Sequence, residues 1–254
     1  MRYFRGMSCN ISIFAKRSFW GYHRYLKRVS SIIRGMQIAE RIGAKLNPVE
    51  GYTNGICIYV KPHVKAFEDF CFEGKPYLDI VDGWGLIPLL NRHSDVGVIA
   101  CSQVDFEILS HALPNRTVLI PQHHCNFERV RRGRSEISVV GVIGTVGAFT
   151  LLPKDLKNRL AEMGMVLLEC SKFHTRQDII DFYQKIDVQI IWRPYSKHLS
   201  NPLKLVNASS FGIPTIALDE PTFKELEDCY VPVHTLDEFL ARLSEFITTP
   251  ALYD

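Results

Sequence analysis

SNPLKLVNASSFGIPTIALDEPTFKEL, residues 200–226, reads as a helix, a strand and the start of a second helix in close succession. Pro202 suits the opening of a helix, which Ser200 or Asn201 can cap. Gly212 and Pro214 close it, Pro214–Leu218 follows as an apolar strand, and Asp219 to Glu225 opens the next helix. Lys204 then falls in a first helical turn, where a cation opposes the helix dipole at a cost of up to about 1 kcal/mol. A bound phosphate would resolve the conflict, because the first-turn N–H groups and Lys204 would face one anion; a lysine swung into solvent is the alternative. Glu225 lies in the first turn of the following helix, where a carboxylate either accepts from a ribose diol or merely favours the helix end.

Working outward, short β-branched runs alternate with longer amphipathic ones. Strands are expected at Ile11–Phe14, Gly55–Val60, Leu78–Val81, Val96–Cys101, Thr117–Ile120, Ser138–Ile143, Val166–Glu169, Val188–Trp192, Pro214–Leu218 and Val231–Val233. Helices are expected near 22–43, 63–72, 103–112, 153–163, 176–186, 202–211, 222–228 and 236–247. Pro153 suits a first helical position, and Thr175/Asp178 and Thr235/Glu238 read as capping boxes. Alternation of this kind predicts an α/β fold with parallel sheets covered by helices on both faces. The polar, basic segment Asn126–Glu136 reads as a linker, which gives two Rossmann-like βαβ domains, 1–130 and 131–254, facing across a cleft. Ligands of such sheets bind at the carboxyl ends of the strands.

The chain has 254 residues, 46% of them hydrophobic and 22% charged, which excludes wholesale disorder and collagen-like or low-complexity classes. Its net charge of +3 hides an asymmetry: residues 1–50 carry +8, leaving −5 for the rest. A basic leading segment suits an anionic acceptor or an anionic membrane surface, unless it is a solvated helix face; nothing points to nucleic acid. The longest uncharged stretch, Ile137–Pro153, has 17 residues and three glycines, too short and too broken for a membrane span. The N-terminus lacks a secretory apolar core. Seven scattered cysteines without a CxxC read as buried reduced thiols of a cytosolic protein.

Gly141, Gly144 and Gly147 follow one strand and precede a helix. The spacing is GxxGxxG, which serves a tight turn as well as a phosphate loop and argues against a standard NAD site. Proton-transfer candidates in the first half are Asp82, His123, His23 and His63. Asp82 ends a strand beside Gly83, and can equally bond its local backbone. His123 and His124 follow the last strand of that half. His23 and Arg24 can bind an anion, and Trp84 and Trp20 can stack on a ring-shaped ligand or simply join the core.

The 200–226 run resembles the donor-binding signature of GT-B glycosyltransferases, most nearly the family 4-like group. That signature has a small helix, Gly-x-Pro, an apolar strand and a Glu thirteen residues after the Gly, here Gly212 and Glu225. The resemblance continues through VGVIGTVG and VQIIWRP and, in the first half, through WGYHR, RGMQIAERIGA, DIVDGW and VLIPQHH. It implies transfer of a sugar from a nucleotide-sugar donor to a glycan or lipid-linked acceptor, building a cell-surface or secreted glycan. The second half would hold the donor: Ser200, Asn201 and Lys204 on the diphosphate with Arg193, Gly144 in the glycine turn, Glu225 on the ribose and Phe173 near the base. The first half would hold the acceptor, with Asp82 or His123 as base and His23, Arg24 and Trp84 beside it. No metal or other cofactor is implied, and the location would be cytoplasmic or peripheral at the inner membrane face. Retaining members carry a Glu-x7-Glu pair where this chain has Leu199 and Asn207. The alternatives are a non-catalytic nucleotide-binding relative and a Rossmann oxidoreductase or methyltransferase using the 141–147 glycines.

Overall fold

The structure is a computed structural model that describes residues 10–15, 30–64, 68–133, 136–173, 175–193 and 199–249. Two compact units emerge. The first runs to Pro121 and also takes Leu199, Ser200 and Asn201; the second takes the chain from Gln122 and again from Pro202 onward.

In the first unit the strands are β1 (Ile11–Ala15), β2 (Lys45–Leu46), β3 (Ile56–Val60), β4 (Lys75–Asp79), β5 (Gly97–Ala100) and β6 (Thr117–Leu119). They form one parallel sheet in the order β2-β1-β3-β4-β5-β6. A π-helical run, Ser31–Gln37, continues into α1 (Ile38–Ile42) and covers one face, where Ile13, Ala15, Val60 and Ala39 pack together. Gly35 permits this close approach, since a Cβ there would stand 2.5 Å from the Ala15 Cβ. On the other face α2 (Ile87–Arg92) and α3 (Gln103–Ala112) cover Leu78, Ile80, Val98 and Ala100.

The second unit holds β7 (Val139–Ile143), β8 (Val166–Cys170), β9 (Val188–Ile191), β10 (Thr215–Leu218) and β11 (Val231–Val233) in a parallel sheet ordered β11-β10-β9-β7-β8. Val140, Val142, Val188, Ile190 and Ile216 meet α5 (Leu156–Glu162) and α8 (Leu236–Thr248). The opposite face packs on α6 (Arg176–Lys185) and α7 (Leu203–Ser210). A short α4 (Val146–Phe149) follows β7. Residues of β5, β7, β9 and β10 are buried on both faces, which suits their largely apolar runs. In both sheets strand order reverses after the first strand of the unit, between β1 and β3 and between β7 and β9. Open α/β sheets of this order take ligands at that switch point, outside the carboxyl ends of the strands.

A strand forms at each of the ten expected places, though the one expected at Leu78–Val81 runs Lys75–Asp79, and β2 adds a short eleventh. Several other expectations are corrected. The helix expected at 63–72 does not form over its described residues: Phe70 and Phe72 both pack edge-on to Tyr59, at ring centroids of 5.3 and 5.2 Å, a two-residue spacing that demands extended chain. Pro153 precedes α5, whose cap position is Asp155. Thr175 and Asp178 do form a capping box. Thr235 caps α8, but Glu238 turns its carboxylate to the His234 N–H at 2.7 Å. The helix expected at 222–228 is a 3-10 helix, Pro221–Cys229.

The described part of the 126–136 segment is docked on the second unit and is no loose linker. The Asn126 side chain donates to the carbonyls of Val130 and Ser210, each at 2.7 Å. Arg132 pairs with fully buried Asp187 at 2.7 Å, and the second Asp187 oxygen accepts from the Ser138 and Val139 N–H groups. The division between units therefore falls after Pro121, ahead of residue 130. Cys57, Cys101 and Cys125 are buried thiols, whereas Cys71 and Cys229 are exposed.

Candidate functional site

The carboxyl edge of the second sheet gathers several of the residues singled out in the sequence. Gly144 directly follows β7, and the Lys204 side chain reaches it from the first turn of α7. A Cβ at position 144 would stand 3.2 Å from Lys204 Nζ and 3.0 Å from the Ala148 Cβ. Glycine thus leaves the room that the ammonium uses. The other two glycines act differently: a Cβ on Gly141 would collide with Ile186 at 2.4 Å, so that glycine serves packing, and Gly147 faces open space apart from Thr145.

Lys204 is held through its main chain. Gln189, fully buried in the middle of β9, donates from Nε2 to the Lys204 carbonyl at 3.1 Å and to Thr215 Oγ1 at 3.2 Å. Tyr183 donates its hydroxyl to Gln189 Oε1 at 2.8 Å. Burial drives the Tyr183 hydroxyl well above its ordinary pKa, so it stays a donor. This network is absent from the sequence-based site. Its signal was a lone amide inside the apolar run VQIIW.

Arg193 lies just past β9 and Glu220 just past the neighbouring β10. Arg193 Nη2 donates to Glu220 Oε1 at 2.5 Å and Nε to Oε2 at 3.2 Å, and Thr222 Oγ1 donates to Oε1 at 3.1 Å. The Glu220 side chain is 1% exposed and that of Arg193 is 28% exposed. Sequence reasoning missed Glu220 because it reads as a turn acid.

Four other residues were expected to bind the donor. Pro202 itself occupies the cap position of α7 and makes no side-chain cap bond, so neither Ser200 nor Asn201 is the cap. Both belong to the first unit, where Leu199 joins the core and the Ser200 N–H donates to Asp105 Oδ1 at 3.3 Å. Asn207, named in the sequence reading for lacking an acid, accepts from the Cys125 N–H at 2.9 Å, a structural use of its side chain. Phe173 is half-buried against the core that contains Ile180 and Phe211. Glu225 is exposed on the 3-10 helix.

The carboxyl edge of the first sheet is rich in internal ion pairs. Asp82 accepts from Lys61 Nζ across the ends of β3 and β4. Lys61 has φ +39° and Val81, just before Asp82, φ +55°. A β-branched residue in that left-handed region is strained, and such strain concentrates at functional sites. Arg34 and Asp79, each 2% exposed, pair at 2.5 Å, and Arg34 Nη2 reaches the Ile120 carbonyl at 3.2 Å. Burial pushes the Asp79 carboxyl up while the guanidinium pulls it down. Asp105, buried at the start of α3, is pushed up to about 7, first by burial and less by the charge of Asp82. Trp84 opens a 3-10 turn and packs against the core, the less functional of its two expected roles.

His123 falls in the second unit, ahead of the Phe127 ring at 6.4 Å between centroids, and not in the first half as expected. Burial, with a smaller contribution from Arg129, lowers the pKa of His124, whose Nδ1 is buried without a hydrogen-bond partner. His23, Arg24 and Trp20 lie outside the described residues. Among the described residues no group of three or more His, Cys, Asp or Glu side chains could hold a metal ion, and no helix is long and apolar enough to cross a membrane.

No family model and no curated protein matches the sequence. Among solved structures, the chain is similar to one in the crystal structure of accessory secretory protein 1,2 and 3 in Streptococcus pneumoniae, at 10% identity and a TM-score of 0.48. The likeness covers 85% of this chain and 49% of that one, so the chain spans about half the length of the solved chain. The protein is a mixed α/β chain of two Rossmann-like units, each built on a parallel sheet.

Proposed function

We propose that the chain is a GT-B-type glycosyltransferase that moves a sugar from a nucleotide-sugar donor to a glycan or lipid-linked acceptor. The observation that carries this reading is the Lys204 ammonium lying against Gly144 at the β7/β9 switch point, in the first turn of α7. A diphosphate there would meet the positive helix end, the first-turn N–H groups and the ammonium together. Arg193, anchored by Glu220 at the next strand end, supplies a second cation to the leaving nucleotide. In this reading the cations and helix dipole stabilise the leaving group, and no metal is called for. The second unit takes the nucleotide, the first takes the acceptor, and Asp82 receives the acceptor proton, oriented by Lys61. Gly141 is committed to packing, which weakens the oxidoreductase and methyltransferase alternatives.

A thermal-shift series with UDP, GDP, dTDP and CMP tests the reading, with NAD and S-adenosylmethionine as comparators. A nucleotide present at about one hundred times its Kd adds about 2.7 kcal/mol of stability. Absence of stabilisation by every nucleotide, in a folded sample, defeats the proposal. A second reading, a non-catalytic nucleotide-binding relative, is favoured by Asn207 standing in a structural role where a catalytic acid could be. It predicts nucleotide binding with neither donor hydrolysis nor transfer. Peripheral attachment to an anionic inner leaflet through the basic first fifty residues belongs to the same proposal; equal sedimentation with neutral and anionic liposomes removes it.

A further inference from the structure

We propose that Glu220 is a positioning residue for anion recognition, acting only through Arg193; the inference rests on the nucleotide-sugar reading of the same strand ends. The pair straddles two adjacent carboxyl ends, those of β9 and β10. Its exposure is one-sided: the Glu220 side chain is 1% exposed and the Arg193 side chain 28%. Glu220 is thus out of reach of a ligand in bulk water, while Arg193 still has solvent-facing surface. Both Glu220 oxygens are engaged by Arg193, and Thr222 Oγ1 adds a bond to Oε1. Thr222 is itself fully buried, so the carboxylate is fixed from below. A two-point contact of this kind sets the plane of a guanidinium as well as its location. An arginine without such an anchor samples many rotamers, and ordering it would be charged against ligand binding. A buried acid that merely neutralised Arg193 would instead weaken the pull on a phosphate, and its removal would tighten binding. The two roles therefore predict opposite signs.

The experiment is a double-mutant cycle with Glu220→Gln, Arg193→Gln and the double variant, all checked for a native melting transition. Titrations use inorganic pyrophosphate and whichever of UDP, GDP or dTDP stabilises the unmodified protein most. Glu220→Gln, which keeps the shape and the Thr222 contact, is expected to weaken both ligands about tenfold, the equivalent of about one charge-assisted hydrogen bond. In the Arg193→Gln background the same change is expected to alter affinity less than twofold. Glu220→Asp, charged but shorter, is expected to recover part of the loss. Unchanged or tighter binding in Glu220→Gln, or an equal loss in both backgrounds, overturns the inference while leaving the nucleotide reading standing. Failure of the unmodified protein to bind any of these anions overturns both. If Glu220→Gln does not fold, Thr222→Val supplies the second variant: it removes one bond from the carboxylate, and a loss confined to the Arg193-containing background is again the expected result.

Discussion

The two sheets share one strand order over five strands, yet their carboxyl edges are furnished differently. At the edge of the first, charges satisfy one another, Arg34 with Asp79 and Lys61 with Asp82, and Asp105 accepts from the Ser200 N–H. At the edge of the second, a glycine makes room for Lys204, and the nearby ion pair is asymmetric, with its acid sealed and its cation half-buried. Topology makes the switch point of either sheet the expected ligand position, but chemistry decides whether an anion is wanted there. Internal salt bridges already supply the first edge with counter-charges. The second edge presents a lysine placed where the helix dipole disfavours it.

The largest expected effect lies at the first edge. Asp79→Ala strands a buried guanidinium and should cost about 3–5 kcal/mol in urea unfolding. Replacing the pair together, Arg34→Met with Asp79→Leu, should recover most of that. A cost below about 1 kcal/mol for Asp79→Ala would break the comparison by showing that the pair is not what holds this edge.

Next comes the direct contrast between the two lysines. Lys204→Ala should weaken nucleoside diphosphate binding about 10- to 100-fold, as for loss of a charge-assisted contact of about 1.5–3 kcal/mol. Lys61→Ala should leave it within about twofold, because in this reading no diphosphate contacts the first unit. Equal losses, read by calorimetric titration, would erase the distinction.

A pH series sharpens the first edge further. Asp105 is raised from 3.8 to about 7 in the folded protein, so between those values the native state binds the extra proton. Its contribution to stability is therefore greatest below about 3.8 and is lost as pH rises towards about 7, by up to about 1.4 kcal/mol per pH unit. Asp105→Asn should flatten this decline relative to the unmodified protein in melts at pH 4 to 8. Parallel curves would show that the carboxyl titrates normally.

The smallest effect belongs to a helix away from both edges. Thr175→Ala removes the hydroxyl that accepts from Asp178 N–H in the capping box of α6, and should cost about 1 kcal/mol. A loss as large as that of Asp79→Ala would mean that local capping outweighs buried charge in this protein.

Much of the fold and part of the candidate site were legible because they depend on neighbours in the chain. The central strands β5, β7, β9 and β10 could be read from largely apolar runs, since burial on both faces leaves little polar alternation. Lys204 stood out because a cation in a first helical turn is a conflict visible within four residues. Gly212 takes φ +70°, as the end of its helix requires. The docking of the 126–136 segment was misread for the opposite reason. Its polarity is spent on partners such as Asp187 and Ser210, 55 and 84 residues away.

The sequence by itself determined the alternation of strands and helices, and which lysine faces the positive end of α7, because periodicity, turn chemistry and the helix dipole act within a few residues. Only the tertiary structure decided that Gly144 meets Lys204, that Arg193 is anchored by Glu220 27 residues on, and that Arg34 is sealed against Asp79 45 residues on. The physical reason is that desolvation and ion pairing depend on what the folded sheet brings alongside a residue, and side chains at adjacent strand ends become neighbours only once the parallel register is formed.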